Sequence, residues 1–321
     1  NKKWVLIANY GDKTLLRNQY ASYLGSNIFS KMKWNPSFKS VDLIVNNRYE
    51  GTYIIGESIK IDKKRVDVAD ISEDTESGGF ICEINTIRMD EDFNFYTSEG
   101  IGFSLKDPDE VDEEIQLYVK NVVQAVEDAI FSENFTDADT GYSKYIDVDS
   151  FIDWYFVNEF SKNVDAASTS SIYMYYNPVD KKLHMGPNWD FDLAFGNVNY
   201  NNCESAEGGH IFVEQNDDEN NPWNWPWGWN GWNFGGFGMS SGNVWITQLM
   251  KDSAFRSKVK ARWEDKKAAV YDSVNSVIQT KADEIELSAN YNFKRWPKVL
   301  GYNIFYNATG YQNRKTYKSE V

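Results

Sequence analysis

Short apolar runs separated by polar turns dominate the first third of the chain. They predict β-strands at residues 4–7, 41–45, 51–55, 79–84 and 100–105. Asn46 and Asn47 favour a turn, so the second and third strands are predicted to form a β-hairpin. Between the first two strands, apolar positions at 15–29 keep roughly helical spacing, with Asp12 or Thr14 as the N-cap. The pattern predicts a mostly antiparallel sheet with one helix against it.

Helical periodicity takes over after residue 107. The sequence Asp107-Pro108-Asp109 is a helix start signal, and apolar residues recur at helical spacing over 111–126. A second helix is predicted over 148–160, entered through Asp149 or Ser150 and carrying a broad apolar face. The later part of the chain is therefore predicted to be mainly helical.

A small hairpin interrupts the helical part. Residues 172–176 and 183–185 are predicted to pair around Asn177-Pro178-Val179-Asp180, whose residue types favour a turn. Long helices are predicted from Val244 onward, with an interruption near Trp296-Pro297. No internal repeat is visible in the sequence.

The chain has 321 residues, of which 41% are hydrophobic, enough to bury a large core as one big domain or two closely packed lobes. The change of pattern predicts an α+β fold with a sheet lobe at residues 1–106 and a mainly helical lobe at 107–321. Cys82 lies in an apolar strand and Cys203 in a polar loop, and both are predicted to be unpaired.

The net charge of −15 opposes an electrostatic grip on nucleic acid or an anionic membrane, whereas a cationic substrate or a metal ion is easily accommodated. No apolar run reaches 18 residues, so no membrane insertion is predicted. The first residues are not a signal peptide, and an export signal removed from upstream stays an open alternative. The abundance of Asn, Asp, Ser and aromatic residues is typical of secreted or cell-surface proteins.

Asp190 and Asp192 form the most informative pair of polar residues. They flank Phe191 just after an apolar strand, and on extended backbone their carboxylates would point the same way. Such a pair suits a hard cation and its phosphate ligand, although a structural calcium ion or a helix cap is the alternative. Asp165 precedes the predicted hairpin that Asp190 follows. A two-lobed phosphotransferase places its hydroxyl-orienting and metal-holding aspartates in this way, while a turn at Asp165 is the simpler alternative.

Residues 221–234 contain five tryptophans separated by Gly, Pro and Asn, which prevents a regular helix. Aromatic faces in such loops stack on sugars, peptides or adenine, and a lid over a cleft is one hypothesis. A loop that packs on itself around a small separate core is the equally weighted alternative. Two lone histidines, His184 and His210, are assigned no role.

Five ordered motifs carry a resemblance to a known family. They are Leu-Leu-Arg-Asn at 15–18, Tyr-Glu-Gly-Thr-Tyr-Ile-Ile-Gly-Glu at 49–57, Ser-Lys-Asn-Val-Asp at 161–165, Ser-Ser-Ile-Tyr-Met-Tyr at 170–175 and Met-Gly-Pro-Asn-Trp-Asp-Phe-Asp-Leu-Ala-Phe-Gly at 185–196. Together they resemble the CotH kinase family, named for a bacterial spore-coat protein, over most of the chain. The resemblance implies a two-lobed, atypical protein-kinase-like fold whose sheet lobe here lacks its first strands.

The resemblance further implies an enzyme that uses ATP and Mg²⁺ to phosphorylate Ser or Thr of a secreted or cell-surface protein, with the spore coat among the implied locations. By position, Asp165 is similar to the catalytic aspartate that orients the acceptor hydroxyl, and Asp190 to the metal-binding aspartate. Asp192 is a second candidate for the metal or the phosphate side. Ser170 stands where ordinary kinases have a metal-binding Asn, and it is a weaker ligand.

The glycine-rich loop and the Val-Ala-Ile-Lys strand of ordinary kinases are absent from the sequence. Arg17 is the best candidate for phosphate binding because a guanidinium can grip two phosphate oxygens. Glu57 or Glu83 could pair with such a cation. Purely structural roles are the alternatives for all three. The alternative function is a non-catalytic binding module whose Trp-rich segment holds carbohydrate or a surface partner.

Overall fold

The computed structural model describes residues 3–71, 78–85, 89, 91–168, 170–199, 203–207, 244–302 and 314–321. Its β-strands are β1 (Trp4–Ala8), β2 (Phe38–Val45), β3 (Arg48–Glu57), β4 (Phe80–Ile84), β5 (Asn94–Tyr96), β6 (Gly102–Asp107), β7 (Ile172–Asn177) and β8 (Lys182–Met185). Its α-helices are α1 (Arg17–Tyr23), α2 (Glu113–Phe131), α3 (Tyr142–Tyr145), α4 (Val148–Ser161), α5 (Val164–Ser168), α6 (Val244–Leu249), α7 (Ser253–Arg295) and α8 (Tyr317–Glu320). The α+β class with antiparallel sheets is confirmed.

The strands form two antiparallel sheets instead of the single sheet expected before residue 107. The first has the order β1-β3-β2, and the second has the order β5-β6-β4-β7-β8. In the second sheet β4 pairs with β7, with Cys82 opposite Met174. This sheet therefore combines strands from both sides of residue 107, and the division into lobes at that residue stays a prediction.

Both predicted hairpins are present. β2 and β3 are joined by Asn46 and Asn47, which both have positive φ angles, as a tight two-residue hairpin turn requires. β7 and β8 pair across residues 178–181. The three-residue strand β5 was not predicted, because so short a segment carries too little alternation to register as a strand.

The helix starts differ from the predicted ones. Asp147 caps α4 by accepting a hydrogen bond from the Ser150 amide at 2.8 Å, so the expected entry through Asp149 or Ser150 is wrong. α2 begins only at Glu113, because the Asp112 side chain, and no residue of 107–109, caps its first turn. In runs this rich in aspartate the pattern does not single out the capping residue, since the choice depends on which residue keeps an extended backbone.

The first predicted helix is shorter and less regular than its apolar spacing suggests. Leu16 occupies the N-cap position of α1 without a side-chain cap, and Asp12 instead accepts a hydrogen bond from the Arg17 amide at 2.9 Å. After Tyr23 the chain continues as a π-helical turn at Leu24–Ile28. Apolar periodicity extends through both segments because both keep their inner face on the same core.

The main core lies between α1, the second sheet and helices α2, α4 and α7. Its largest fully buried side chains include Phe29, Phe80, Phe103, Phe151 and Phe255. Cys82 and Cys203 are both buried and free, as predicted. Burial raises the pKa of both thiols, which leaves them protonated and chemically quiet at neutral pH.

The 43-residue helix α7 ties the β2–β3 hairpin to the rest of the molecule. Near its end, the Asn292 side-chain oxygen accepts from the Thr52 amide at 2.9 Å, and Arg295 pairs with Glu50 at 3.0 Å. The helix ends at Arg295, before Trp296-Pro297, as predicted. Within the described ranges, no helix combines the length and the apolar character needed to cross a membrane.

Glu127 on α2 is almost fully buried and accepts four hydrogen bonds of 3.1 Å or less. The donors are the hydroxyls of Thr97 and Ser98 at 2.8 and 3.1 Å, the Glu99 amide at 3.0 Å and the Trp245 indole at 3.1 Å. Glu127 thus connects two elements to α2: the turn at residues 97–99 and helix α6.

Replacing Glu127 by Ala should lower the free energy of unfolding by about 3 kcal/mol, since these four donors lose their acceptor in a buried setting. Urea unfolding would measure the change. Asp128→Ala, at the adjacent exposed position of α2, is the matched control and should change stability by less than about 0.5 kcal/mol. Equal effects of the two substitutions would contradict this role for Glu127.

Candidate active site

Three aspartates predicted from the sequence converge in the structure. Asp165 lies on the short helix α5, and Asp190 and Asp192 lie in the segment that follows β8. Each offers one carboxylate oxygen, and these oxygens all lie within 4.8 Å of one another. The β7–β8 hairpin brings them together because α5 precedes it and the Asp190 segment follows it.

Desolvation and mutual repulsion dominate the electrostatics of this cluster. Burial first, and then the charge of Asp165, raises the pKa of Asp190. Burial, together with the charge of Asp190, raises the pKa of Asp192 to about 7. The cluster therefore favours either a bound proton or a bound cation.

The donor set fits a hard divalent cation. Mg²⁺ and Ca²⁺ take oxygen ligands, and Mg²⁺ in phosphate-handling sites is usually held by one or two carboxylates together with phosphate oxygens. Asp165, Asp190 and Asp192 supply oxygens within reach of one ion, and a positive charge would relieve the repulsion among them. The predicted pairing of Asp190 with Asp192 as metal ligands remains a prediction that this geometry supports.

The backbone around the aspartates is strained. Asp190 has φ = 63° and Phe195 has φ = 51°, both in the left-handed region that residues other than glycine seldom occupy. Ser171, the residue before β7, has φ = 60°. Such conformations persist only where the surroundings hold them, and they concentrate at functional sites.

Arg17 is one of the groups that hold this backbone. Its guanidinium bonds the Asp12 carboxylate at 2.6 Å, the Ala194 carbonyl at 3.0 Å and the Phe195 carbonyl at 3.4 Å. The side chain is nearly buried and links α1 to the segment after Asp192. Arg17 was predicted to bind phosphate. That role stays a prediction, whereas its hydrogen bonds to Ala194 and Phe195 give it a positioning role.

Two asparagine side chains hold the same segment. The Asn18 side-chain oxygen accepts from the Phe191 amide at 2.8 Å, between the two aspartates of the pair. The Asn197 side-chain amide donates to the Asp192 carbonyl at 2.6 Å and to the Gly11 carbonyl at 2.9 Å. The segment preceding and opening α1 thus supports the Asp190–Asp192 backbone from one side.

Glu83 on β4 is joined to the site through Ser171. One of its oxygens accepts from the Ser171 amide at 2.9 Å, and the Ser171 hydroxyl lies 3.4 Å from an Asp190 carboxylate oxygen. The other oxygen lies 3.3 Å from the Lys106 ammonium group, which also bonds Glu91. Glu83 therefore pairs with Lys106 on β6, whereas its predicted pairing with a nucleotide-binding cation stays a prediction.

Lys106 and Ser171 were not predicted as site residues from the sequence. The strand register places Glu83 opposite Ser104, two residues from Lys106, so the pair is diagonal across neighbouring strands. No spacing within the sequence indicates that β4 and β6 are neighbours. Ser170, the predicted weak metal ligand, donates its backbone amide to the Asp165 carbonyl at 3.3 Å, and the hydroxyl contact to Asp190 comes from Ser171 instead.

Glu57 lies at the end of β3, and its carboxylate accepts from the amide and the hydroxyl of Ser37 at 3.0 and 3.1 Å. These contacts connect β3 to the residue that precedes β2. They match the structural alternative for Glu57, and its predicted role in pairing with a nucleotide-binding cation stays untested.

The Asp190–Asp192 pair forms the polar side of a pocket. The other lining residues come from β1, α1, β2 and the position before Asp190: Ile7, Ala8, Asn18, Phe38 and Trp189. The rings of Phe38 and Trp189 are tilted against each other, with their centroids 5.8 Å apart. An apolar wall beside paired carboxylates suits a ligand with a flat ring at one end and a metal-bound phosphate at the other.

Residues 221–234, the Trp-rich segment, and His210 lie outside the described residues. His184 is fully buried on β8, where its ring stacks on Tyr175 and bonds the Asp180 carboxylate at 2.9 Å. It packs within the β7–β8 hairpin, and no catalytic role is assigned to it.

A comparison with protein families supports the resemblance seen in the sequence. The family model described as CotH kinase protein matches residues 1–321, the whole chain. The chain therefore belongs to the CotH kinase family, whose membership indicates a kinase-like function and a link to the bacterial spore coat. A comparison with curated proteins found no match.

The raised pKa of Asp192 predicts how stability depends on pH in the absence of metal. An unfolded aspartate has a pKa of about 3.9, whereas burial raises the pKa of folded Asp192 to about 7, so the folded state binds the proton more tightly. Stability must then fall as pH rises between these two values. An asparagine has no proton to lose in this pH range, so Asp192→Asn does not lose stability in this way. Its melting temperature should exceed that of the wild type by about 3 °C at pH 8.

Thermal unfolding in the presence of a chelator, at pH 5 and pH 8, would measure this difference. The advantage of Asp192→Asn should shrink toward pH 5, where the wild-type carboxyl group is protonated. The exposed residue Asp67 supplies the control substitution Asp67→Asn, which should show no such trend. A difference between Asp192→Asn and wild type that is the same at both pH values would contradict the assignment.

Proposed function

We propose that this chain is a protein kinase of the CotH type that uses ATP and Mg²⁺ to phosphorylate Ser or Thr of a secreted or cell-surface protein. The observation that carries the proposal is the convergence of Asp165, Asp190 and Asp192 across the β7–β8 hairpin. Membership of the CotH family, with its kinase-like function, supports the same conclusion.

The two sides of the cluster have different roles in this proposal. Asp190 and Asp192 hold Mg²⁺, which supplies the positive charge that offsets the charge of the transferred phosphoryl group. Asp165 accepts a hydrogen bond from the acceptor hydroxyl, orients its oxygen toward the phosphate and takes up its proton. Ser171, with its hydroxyl 3.4 Å from Asp190, orients that carboxylate.

The nucleotide lies along the pocket beside the aspartates. Ile7, Ala8, Phe38 and Trp189 provide the apolar wall for the adenine ring, and the phosphates extend toward Asp190. Lys106 supplies a cation for the phosphates, and Glu83 orients it, as a strand lysine and its glutamate partner do in ordinary kinases. Arg17 remains the second candidate for a phosphate contact.

The negative net charge of the chain favours one kind of acceptor segment. A net charge of −15 attracts basic segments, so the proposed acceptor is a Ser or Thr flanked by Lys or Arg. The proposed location is the cell envelope or outside the cell, and the family's link to the spore coat makes a coat protein the first acceptor to try. No nucleic acid and no membrane insertion form part of the proposal.

The first test combines binding and turnover. The wild-type chain should bind ATP in the presence of Mg²⁺ by calorimetry and transfer labelled phosphate to a basic Ser- and Thr-containing protein. Asp165→Ala and Asp190→Ala should each lower the transfer rate by at least about 10²-fold. Asp190→Ala should also weaken the binding of ATP with Mg²⁺, because it removes a metal ligand.

Asp67→Ala, at an exposed position, is the control for the removal of an aspartate and should keep full activity. Absence of both ATP binding and transfer in the wild-type chain would argue against a kinase. That outcome would favour the binding-module hypothesis and direct attention to carbohydrate or surface ligands of residues 221–234.

A separate test concerns Lys106. Lys106→Met should raise the dissociation constant for ATP about tenfold, the expected effect of losing one charge-assisted contact to phosphate. The matched control is Lys182→Met, a half-buried lysine on β8 of the same sheet whose ammonium group bonds the Ser143 carbonyl. Equal ATP affinities for the two variants would exclude a phosphate contact by Lys106.

A further inference from the structure

A line of buried asparagine side chains connects the two parts of the chain that carry the catalytic aspartates. Asn163 precedes Asp165 by two residues, and Asn188 precedes Asp190 by two residues. Asn158, near the end of α4, lies between them in space. The exposed fractions of Asn158, Asn163 and Asn188 are only 1%, 1% and 4%.

The Asn158 side chain contacts both of the others. Its amide nitrogen donates to the Asn188 side-chain oxygen at 3.3 Å and to the Trp154 carbonyl at 3.0 Å. Its oxygen accepts from the Asn163 side-chain amide at 3.1 Å. One side chain thus bonds the residues that lead into Asp165 and into Asp190.

Backbone contacts at the same end of α4 strengthen this connection. The Asn163 amide donates to the Asn158 carbonyl at 3.1 Å, and the Phe195 amide donates to the Ser161 carbonyl at 2.6 Å. On the far side, the Asn188 amide donates to the Asn35 side-chain oxygen at 2.8 Å. The end of α4 is therefore bonded to the chain on both sides of the β7–β8 hairpin.

The chemistry of the site makes such a connection necessary. Three carboxylates that repel one another would move apart if the backbone allowed it. A metal site needs its ligands held to within about 0.5 Å, and outer groups that fix the ligands typically change metal affinity by about 10- to 100-fold when they are removed. Buried amides serve this purpose well, because an amide left without its partner costs about 1–3 kcal/mol.

We propose that Asn158 is a positioning residue that sets the separation of Asp165 from Asp190 and thereby the affinity of the site for its divalent cation. It acts through Asn163 and Asn188. The inference rests on the proposed function, since it takes the three aspartates as a cation site. It adds a residue that no catalytic motif of the sequence singled out.

The test uses Mn²⁺ as a stand-in for Mg²⁺ and follows the free ion by electron paramagnetic resonance, without nucleotide. Asn158→Ala should weaken Mn²⁺ binding about tenfold, and Asn188→Ala should do the same. The double variant should lose little more than either single variant, because both remove one shared contact. Mn²⁺ binding that is present in the wild type and lost in Asp190→Ala is the binding at this site.

Asn292→Ala is the matched control. Asn292 is likewise a buried helical asparagine, and its oxygen accepts from the Thr52 amide at 2.9 Å, but it lies on α7 against the first sheet. Its replacement should lower the melting temperature and leave Mn²⁺ affinity unchanged. Asn158→Asp keeps the volume and the acceptor for Asn163 and loses the donor to Asn188, so it serves if the alanine variant fails to fold.

The outcomes separate this inference from the proposed function. Mn²⁺ binding that Asp190→Ala abolishes and that none of the variants Asn158→Ala, Asn158→Asp or Asn188→Ala weakens would overturn the role of Asn158 alone. Failure of the wild-type chain to bind Mn²⁺ would overturn the proposed cation site, and this inference with it. Weaker binding in the Asn158 variants, with no change in Asn292→Ala, would support the positioning role.

Discussion

Repulsion among three half-buried carboxylates is the interaction on which the arrangement of this site depends. Asp165, Asp190 and Asp192 place oxygens within 4.8 Å of one another, and burial and mutual repulsion raise the pKa of the last two. A flexible chain would relieve this repulsion by moving apart. The aspartates stay together because the rest of the fold holds them, and a cation can then bind without rearranging its ligands.

Three separate supports hold the aspartates, and each begins in a different part of the fold. Arg17 bonds two carbonyls after Asp192, while Glu83 reaches Asp190 through Ser171. The end of α4 bonds both sides of the β7–β8 hairpin through Asn158. These supports allow the left-handed backbone of Asp190 to persist, since strain at one residue is offset by many well-made hydrogen bonds around it.

The candidate site of this CotH family chain is built from residues and elements that differ from those of ordinary kinases. No glycine-rich loop is present in the sequence, and the wall of the pocket comes from Ile7, Ala8 and two aromatic rings. The ion pair of Lys106 with Glu83 forms within one antiparallel sheet. In the proposed function, the aspartates with Mg²⁺ and Lys106 position and neutralise the phosphates, a role that the glycine-rich loop shares in ordinary kinases.

The sequence by itself determined the local elements and the core of the site. The apolar runs predicted most strands, and the hairpin between Asp165 and Asp190 followed from two short runs around an Asn-Pro turn, because neighbouring segments pair through short-range contacts. Only the tertiary structure decided that β4 lies between β6 and β7, that Glu83 therefore meets Lys106, and that Arg17 points inward. These depend on which distant segments become neighbours, and no local pattern of apolar and polar residues specifies that choice.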